Sequence, residues 1–311
     1  MDKLSGAKMG KIKKLRGGNK LFVSGDGNIL AGFSGQNIAY VYHLASNSSE
    51  PVFKIRTIRH LQCVAVSPDR KLLAAKSTTG EIAVFLLESG EELFRVKTKE
   101  MDGYEMYFTE DSRSLLDLGC SRIKLIDIES RQVTYLDDEI KPVVGYYPRV
   151  WRIGLDRYSK QIYRLIETDN KYSGELQISS SDPDRISFRV ARDLSLLPLS
   201  LKCFFLCKER NFYWNGTQIA VTDKQFNDIG KIDLPAELVD AKPLLDFYVS
   251  PCEKYILFDL KRVSGLSYLY ELETMKMVHK FEYPYICDFT MVKDDTVFVI
   301  STWQGSFIGE V

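Results

Sequence analysis

His43, His60 and His279 are the scarcest candidates for chemistry in this chain, and they stand far apart. None is paired at metal-ligand spacing, so each is expected to have a structural role. Cys203 and Cys207 lie in the apolar run Lys202-Cys203-Phe204-Phe205-Leu206-Cys207. On a strand that spacing puts both thiols on one face, too far apart for a compact Cys-x-x-Cys clamp, and they read as core thiols. Gly25-Asp26-Gly27 resembles the start of a phosphate-cradling loop. Ile29 and Leu30 then continue as strand and not as helix, so the segment reads as a hairpin turn. No nucleophile elbow, Ser/His/Asp signature or cofactor motif is present. The expectation is a non-catalytic chain with no cofactor and no metal.

Composition narrows the classes further. Lys+Arg and Asp+Glu balance at 42 each, whereas nucleic-acid and membrane-surface proteins usually carry a lopsided charge. Neither partner is expected. Residues Met1 to Gly18 are basic but precede no apolar run, so they do not read as a secretory signal. Six cysteines without such a signal point to reduced thiols in the cytoplasm. The 311 residues exceed the usual domain size, yet repetition lets one domain grow without one giant core.

A repeat is in fact present. Its clearest copy runs Cys63-Val64-Ala65-Val66-Ser67-Pro68-Asp69, then Lys71 to Ala75, Ile82 to Leu86 and Glu92 to Val96. Four strand-length pieces with turn-forming boundaries in about forty residues describe one antiparallel sheet. Equivalent turn positions fall at Asp26, Asp69, Asp111, Cys252 and Asp294, spaced 43, 42, 141 and 42. The long gap holds two weaker copies, read near Tyr147-Pro148-Arg149 and Val190-Ala191-Arg192-Asp193. Helical periodicity is nearly absent; Pro235 to Lys242 could form a single turn.

The unit resembles the WD-repeat family, whose blades carry a Ser-Pro-Asp turn between the first two strands and Trp-Asp near the end of the third. Ser67-Pro68-Asp69 keeps the turn. The Trp-Asp positions read Tyr42-His43, Phe85-Leu86, Ile126-Asp127, Tyr163-Arg164 and Tyr270-Glu271. The resemblance implies an all-β, seven-bladed β-propeller of four-stranded antiparallel blades, in a divergent member. The blades read approximately as 19–59, 60–101, 102–140, 141–184, 185–242, 243–284 and 285–311, in one domain over 1–311. The seventh stops at its third strand. An unpaired edge at the seam is avoided if the N-terminal segment 8–17 supplies the outer strand, as the family is known to do.

Two patterns then bear on function. Aligning first strands on the turn places Glu105, Asp246 and Asp288 at one position, with Cys63 and Ser187 in other blades. In a propeller these acids face the upper mouth of the channel. There they either hydrogen-bond to backbone and neighbours or converge on a cation in a metal-dependent hydrolase or lyase. Upper-face loops between second and third strands are expected to carry Lys76, Arg122, Arg157, Lys208 with Arg210, and Lys261 with Arg262, accompanied by Tyr158, Phe212, Tyr213, Trp214 and Trp303. Acidic stretches, Asp137-Asp138-Glu139 and Asp182 with Asp184, share that face. Exposed Arg and Trp in a mixed field suit a protein or peptide partner. A monomeric interaction scaffold binding through Trp214, Arg210, Arg122, Arg157 and Trp303 is therefore expected, with a structural subunit of a larger assembly as the other alternative.

Overall fold

A computed structural model describes residues 12–311 except 35–36, 47, 99–102, 120–121, 138–149, 157–158, 168–172, 180–185, 196–203, 215–217, 240–245, 261–264, 284–285 and 303–304. The chain begins with a short strand, β1 (Lys13–Leu15), and then builds sheets in succession. Blade 1 contains β2 (Gly18–Val23), β3 (Ile29–Ser34), β4 (Ile38–His43) and β5 (Phe53–Arg56); blade 2 contains β6 (Leu61–Val66), β7 (Leu72–Ser77), β8 (Glu81–Leu86) and β9 (Glu92–Lys97). Blade 3 holds β10 (Gly103–Phe108), β11 (Ser114–Gly119), β12 (Ile123–Asp127) and β13 (Val133–Tyr135). Blade 4 holds β14 (Val150–Leu155), β15 (Ile162–Glu167), β16 (Ser173–Ser179) and β17 (Phe188–Ser195). Blade 5 follows as β18 (Phe204–Leu206), β19 (Asn211–Trp214), β20 (Ile219–Thr222) and β21 (Asp228–Ile232). Blade 6 is β22 (Asp246–Val249), β23 (Tyr255–Asp259), β24 (Ser267–Glu271) and β25 (Met277–Phe281). Blade 7 takes β26 (Ile286–Val292), β27 (Val297–Thr302) and β28 (Gly305–Glu310), and its outer strand is β1.

Seven four-stranded antiparallel blades thus form a ring, closed as the strand count required. β1 pairs with β28 through Lys13↔Ile308, Lys14↔Phe307 and Leu15↔Ser306. Tyr42, at the Trp position of blade 1, fixes the incoming strand: its hydroxyl accepts from Arg16 N and donates to Arg16 O, both at 2.8 Å. Residues 236–239 form a 3-10 turn where a single helical turn was expected.

Period-two alternation turns each sheet into a double-sided wedge. In β11, Leu115 packs toward blade 2 and Leu118 toward blade 4. Among the described residues one buried apolar cluster fills each blade-to-blade interface, from Ile29 to Leu87 between blades 1 and 2, to Leu15, Tyr42 and Val299 between blades 7 and 1. The core is therefore distributed around the ring, as in other repeat architectures.

The Ser/Thr-x-Asp turns explain the repeat chemically. Ser67 Oγ accepts from Leu72 N at 2.9 Å and donates to Asp69 at 2.6 Å, while Asp69 accepts from Lys71 N at 3.1 Å. Ser24 with Asp26 and Thr109 with Asp111 repeat the arrangement. These turns, and those between third and fourth strands, define the lower face. Second-to-third strand loops and the crossovers between blades define the upper face.

The blade 4–5 boundary corrects the sequence reading. Val190 to Asp193, expected in the first turn of blade 5, belongs to β17, the outer strand of blade 4. Tyr163-Arg164 lies in β15, a second strand, and Ser187 precedes the outer strand β17. The first turn of blade 4 runs from Asp156 to Gln161, closed by Asp156 N to Gln161 O at 2.8 Å. The marker expected at residues 147–149 lies outside the described residues.

Candidate functional site: the upper face and the channel

Shifting one strand swaps the ends of the loops, and this separates the expected binding residues. Arg122 lies between β11 and β12, on the upper face as expected. Arg210 lies between β18 and β19, a first turn, and so faces the opposite side. Its Nε donates to Glu253 Oε2 at 2.6 Å. Trp214 is no surface anchor: it ends β19 at 9% exposure within the cluster between blades 5 and 6. Arg157 lies outside the described residues. Trp303 lies outside them too. Lys261, Arg262, Tyr158, Cys203, Asp138, Glu139, Asp182 and Asp184 are likewise outside the described residues. Cys207 is buried, and burial pushes its thiol well above the usual range.

What remains on the upper face is a site the sequence did not announce. The Arg122 guanidinium stacks 3.9 Å from the centroid of the Tyr135 ring. It also donates to the Asp137 carbonyl, with Nη2 at 3.0 Å. Tyr135 is 45% exposed at the upper end of β13. Behind them Asp137 accepts from Ile123 N at 2.6 Å and pairs with Arg164 of blade 4 at 3.5 Å. Burial pulls the Arg164 guanidinium down to about 10 against the opposing effect of Asp137. Arg164 in turn covers the Phe188 ring at 3.6 Å. Arg122 and Tyr135 are thus held on a fixed base across two blades.

Below this, Lys76 departs from its expected place in an upper loop. It is fully buried in β7 and its ammonium lies 2.5 Å from Asp117 Oδ1 of blade 3. Lys124, also fully buried, approaches Asp117 Oδ2 at 3.4 Å. Alternation turns Lys76 toward blade 3 and Asp117 back toward blade 2, so the cluster spans their interface.

The first strands line the channel. One cavity of about 140 Å³ is bounded by residues of β2, β6, β10 and β26, including Lys20, Cys63, Glu105 and Asp288. Glu105 pairs with Lys20 at 3.4 Å, reaching from blade 3 to blade 1 past blade 2, and accepts from the Tyr107 hydroxyl. Asp288 accepts from Leu21 N at 3.0 Å and from Phe289 N at 2.9 Å. Burial raises the Cys63 thiol to about 11. Asp246 is buried opposite Asp259 in the sheet and does not line this cavity. Among the described residues, no group of three or more His, Cys, Asp or Glu side chains is placed to hold a metal ion. His279 is half-buried, its ring centroid 4.6 Å from that of Phe281, and desolvation lowers its pKa.

No family model matches the chain, and no curated protein matches it. Solved structures do. The β-propeller domain of Myceliophteria thermophila Cps50 (Swd1) superposes with a TM-score of 0.68 at 11% identity, covering 97% of this chain and 99% of that one. Hydrazine synthase of Kuenenia stuttgartiensis gives 0.70 at 10% identity, with 96% and 97% covered. One fold thus serves differently named proteins, and likeness at this identity speaks for architecture alone. No helix among the described residues is long and apolar enough to cross a membrane. The chain is a seven-bladed β-propeller of four-stranded antiparallel blades.

Proposed function

We propose that the protein is a non-catalytic interaction scaffold that presents its upper face to a protein or peptide. The observation that carries this reading is the Arg122–Tyr135 stack, fixed by the Asp137 carbonyl and left open to solvent on one side. Arginine and tyrosine are the types that anchor interfaces, and holding them in place lowers the ordering cost of binding. The channel acids support the same reading, because Glu105 and Asp288 already have partners in the ring. Among the described residues Cys63, Cys207 and Cys252 stand outside any disulfide, which suits the reducing compartment proposed for it.

The test is quantitative affinity capture from the source organism with the parent protein and the Arg122→Ala/Tyr135→Ala variant. Loss of the captured protein by roughly tenfold in the variant, with melting unchanged, is the expected result. Equal capture by both would exclude this site.

A further inference from the structure

Side chains on the lower face tie each blade to the one before it. Arg70 reaches Asp26 at 2.7 Å, the Ser112 hydroxyl accepts from Asp69 N at 3.2 Å, and Lys160 meets Glu110 at 3.0 Å. Lys224 meets Asp156 at 3.0 Å. Glu253 accepts from Glu209 N and Arg210 N, and Asp295 from Cys252 N at 3.2 Å. Arg70, Ser112, Lys160, Glu253 and Asp295 all have positive φ, which aims each back at its neighbour. At the equivalent position blade 1 has Gly27, with φ +69° and open space where a Cβ would stand. Blade 1 is thus the exception: among the described residues no side chain at this position reaches back to blade 7, and the seam is crossed instead by Lys293.

A cavity of about 140 Å³ opens at that same seam, walled by Leu15, Leu44, Val297 and Tyr42 and edged by Lys13, Lys293 and Glu310. An apolar cavity of about 150 Å³ holds a benzene-sized group, so this one, apolar at its walls and polar at its rim, has room for a single branched or aromatic side chain. Two lysines against one glutamate give its rim a net positive charge. The rim is also strained. Lys293, Asp294 and Asp295 have φ of +53°, +54° and +60° in succession. A left-handed backbone is costly for each non-glycine residue, and such strain gathers at ligand clamps. Lys293 is held over the seam by donating to the Leu44 carbonyl at 3.2 Å.

We infer that this seam cavity is a second docking site, which takes an acidic, apolar segment of a partner protein. One apolar side chain enters between Leu15, Leu44 and Val297, and a neighbouring carboxylate meets Lys13 and Lys293. The site lies on the lower face and does not depend on the Arg122–Tyr135 reading.

Selection of a random phage-displayed heptapeptide library on the full chain tests this. Peptides with Asp or Glu beside Leu, Ile, Phe or Met are expected to be enriched. The strongest, made synthetically, should shift the methyl resonances of Leu15, Leu44 and Val297. They should bind Lys293→Glu at least tenfold more weakly, yet bind Arg122→Ala/Tyr135→Ala like the parent. Lys293→Met, which keeps the stem and removes the charge, supplies the same comparison if the charge reversal impairs folding. No enrichment, enrichment of basic or neutral peptides, or binding indifferent to both Lys293 variants would overturn the proposal. Loss only in the upper-face variant would do so as well, by moving the peptide to the other site.

Discussion

Asp117 holds two fully buried ammonium groups, from Lys76 and Lys124, in the blade 2–3 interface. Removing one partner of a buried ionic cluster leaves charge in a low dielectric and typically costs about 3–5 kcal/mol. Asp117→Ala should therefore lower the urea midpoint sharply, and Lys76→Met should cost less because Lys124 keeps its acid. Equal, small effects would mean that the cluster is incidental. Nothing local revealed it: Lys76 ends an apolar strand like any residue leaving a sheet, and its acid stands 41 positions away. The lower turns titrate more predictably. Asp111, Asp127 and Asp223 are held below the usual carboxylate range first by hydrogen bonds from their own turns. For Asp26 and Asp69 burial opposes ionisation, but hydrogen bonds outweigh it. A depressed carboxyl contributes stability that is present above its unfolded pKa, near ~4, and is lost as pH falls through the folded value. Asp295, raised chiefly by burial, has the opposite sign: its contribution is present below that unfolded pKa and lost as pH rises through its folded value. The five depressed groups outnumber it, so melting temperature should hold between about pH 5 and 7 and decline below about pH 4. A melting temperature that rose on acidification would contradict this assignment.

Legibility at the scale of elements followed the turns. Where Ser or Thr and Asp stand two residues apart, as at Ser67 and Asp69, the hydroxyl and carboxylate close the turn themselves and the repeat is readable. Blade 4 reverses the order, with Ser159 donating to Asp156, and its signature vanishes from the pattern. In blade 5 the turn's own acid, Glu209, does not close the turn: the carboxylate that accepts from the Glu209 and Arg210 amides is Glu253 of blade 6. Hence the sequence pattern makes β17 a first strand, and the face it implies for Arg210 is the opposite of the one the structure gives. The same dependence makes Glu253 a sensitive position. Glu253→Ala deprives two backbone amides and the Arg210 guanidinium of their acceptor and should cost about 1–3 kcal/mol. Denaturant unfolding measures it, and a change below about 0.5 kcal/mol, the range of ordinary surface substitutions, would show the tie to be dispensable.

On the scale of the whole molecule, closure was legible because it is a counting argument: the last blade runs out of chain at three strands, and β1 is the strand left over. Deleting residues 1–16 removes β1, and Leu15 with it, from the ring. Their deletion exposes the β28 edge and the apolar groups that Leu15 covers, so lower melting and association are expected. A deletion variant that melts like the parent and stays monomeric would contradict closure. The identity of an interface was less legible than the ring that carries it. Arg122 was visible, but Tyr135 becomes its neighbour only through the β12–β13 pairing, Lys124↔Tyr135 and Ile126↔Val133. The most direct test of the scaffold reading is photo-crosslinking in cells of the source organism. A benzophenone side chain would replace Tyr135 on the upper face or, as control, Ile229, which is 56% exposed on the outer strand β21. A defined protein adduct at position 135 and none of equal yield at position 229 is the expected result; equal yields, or an adduct at 229 alone, would contradict a scaffold that works through its upper face.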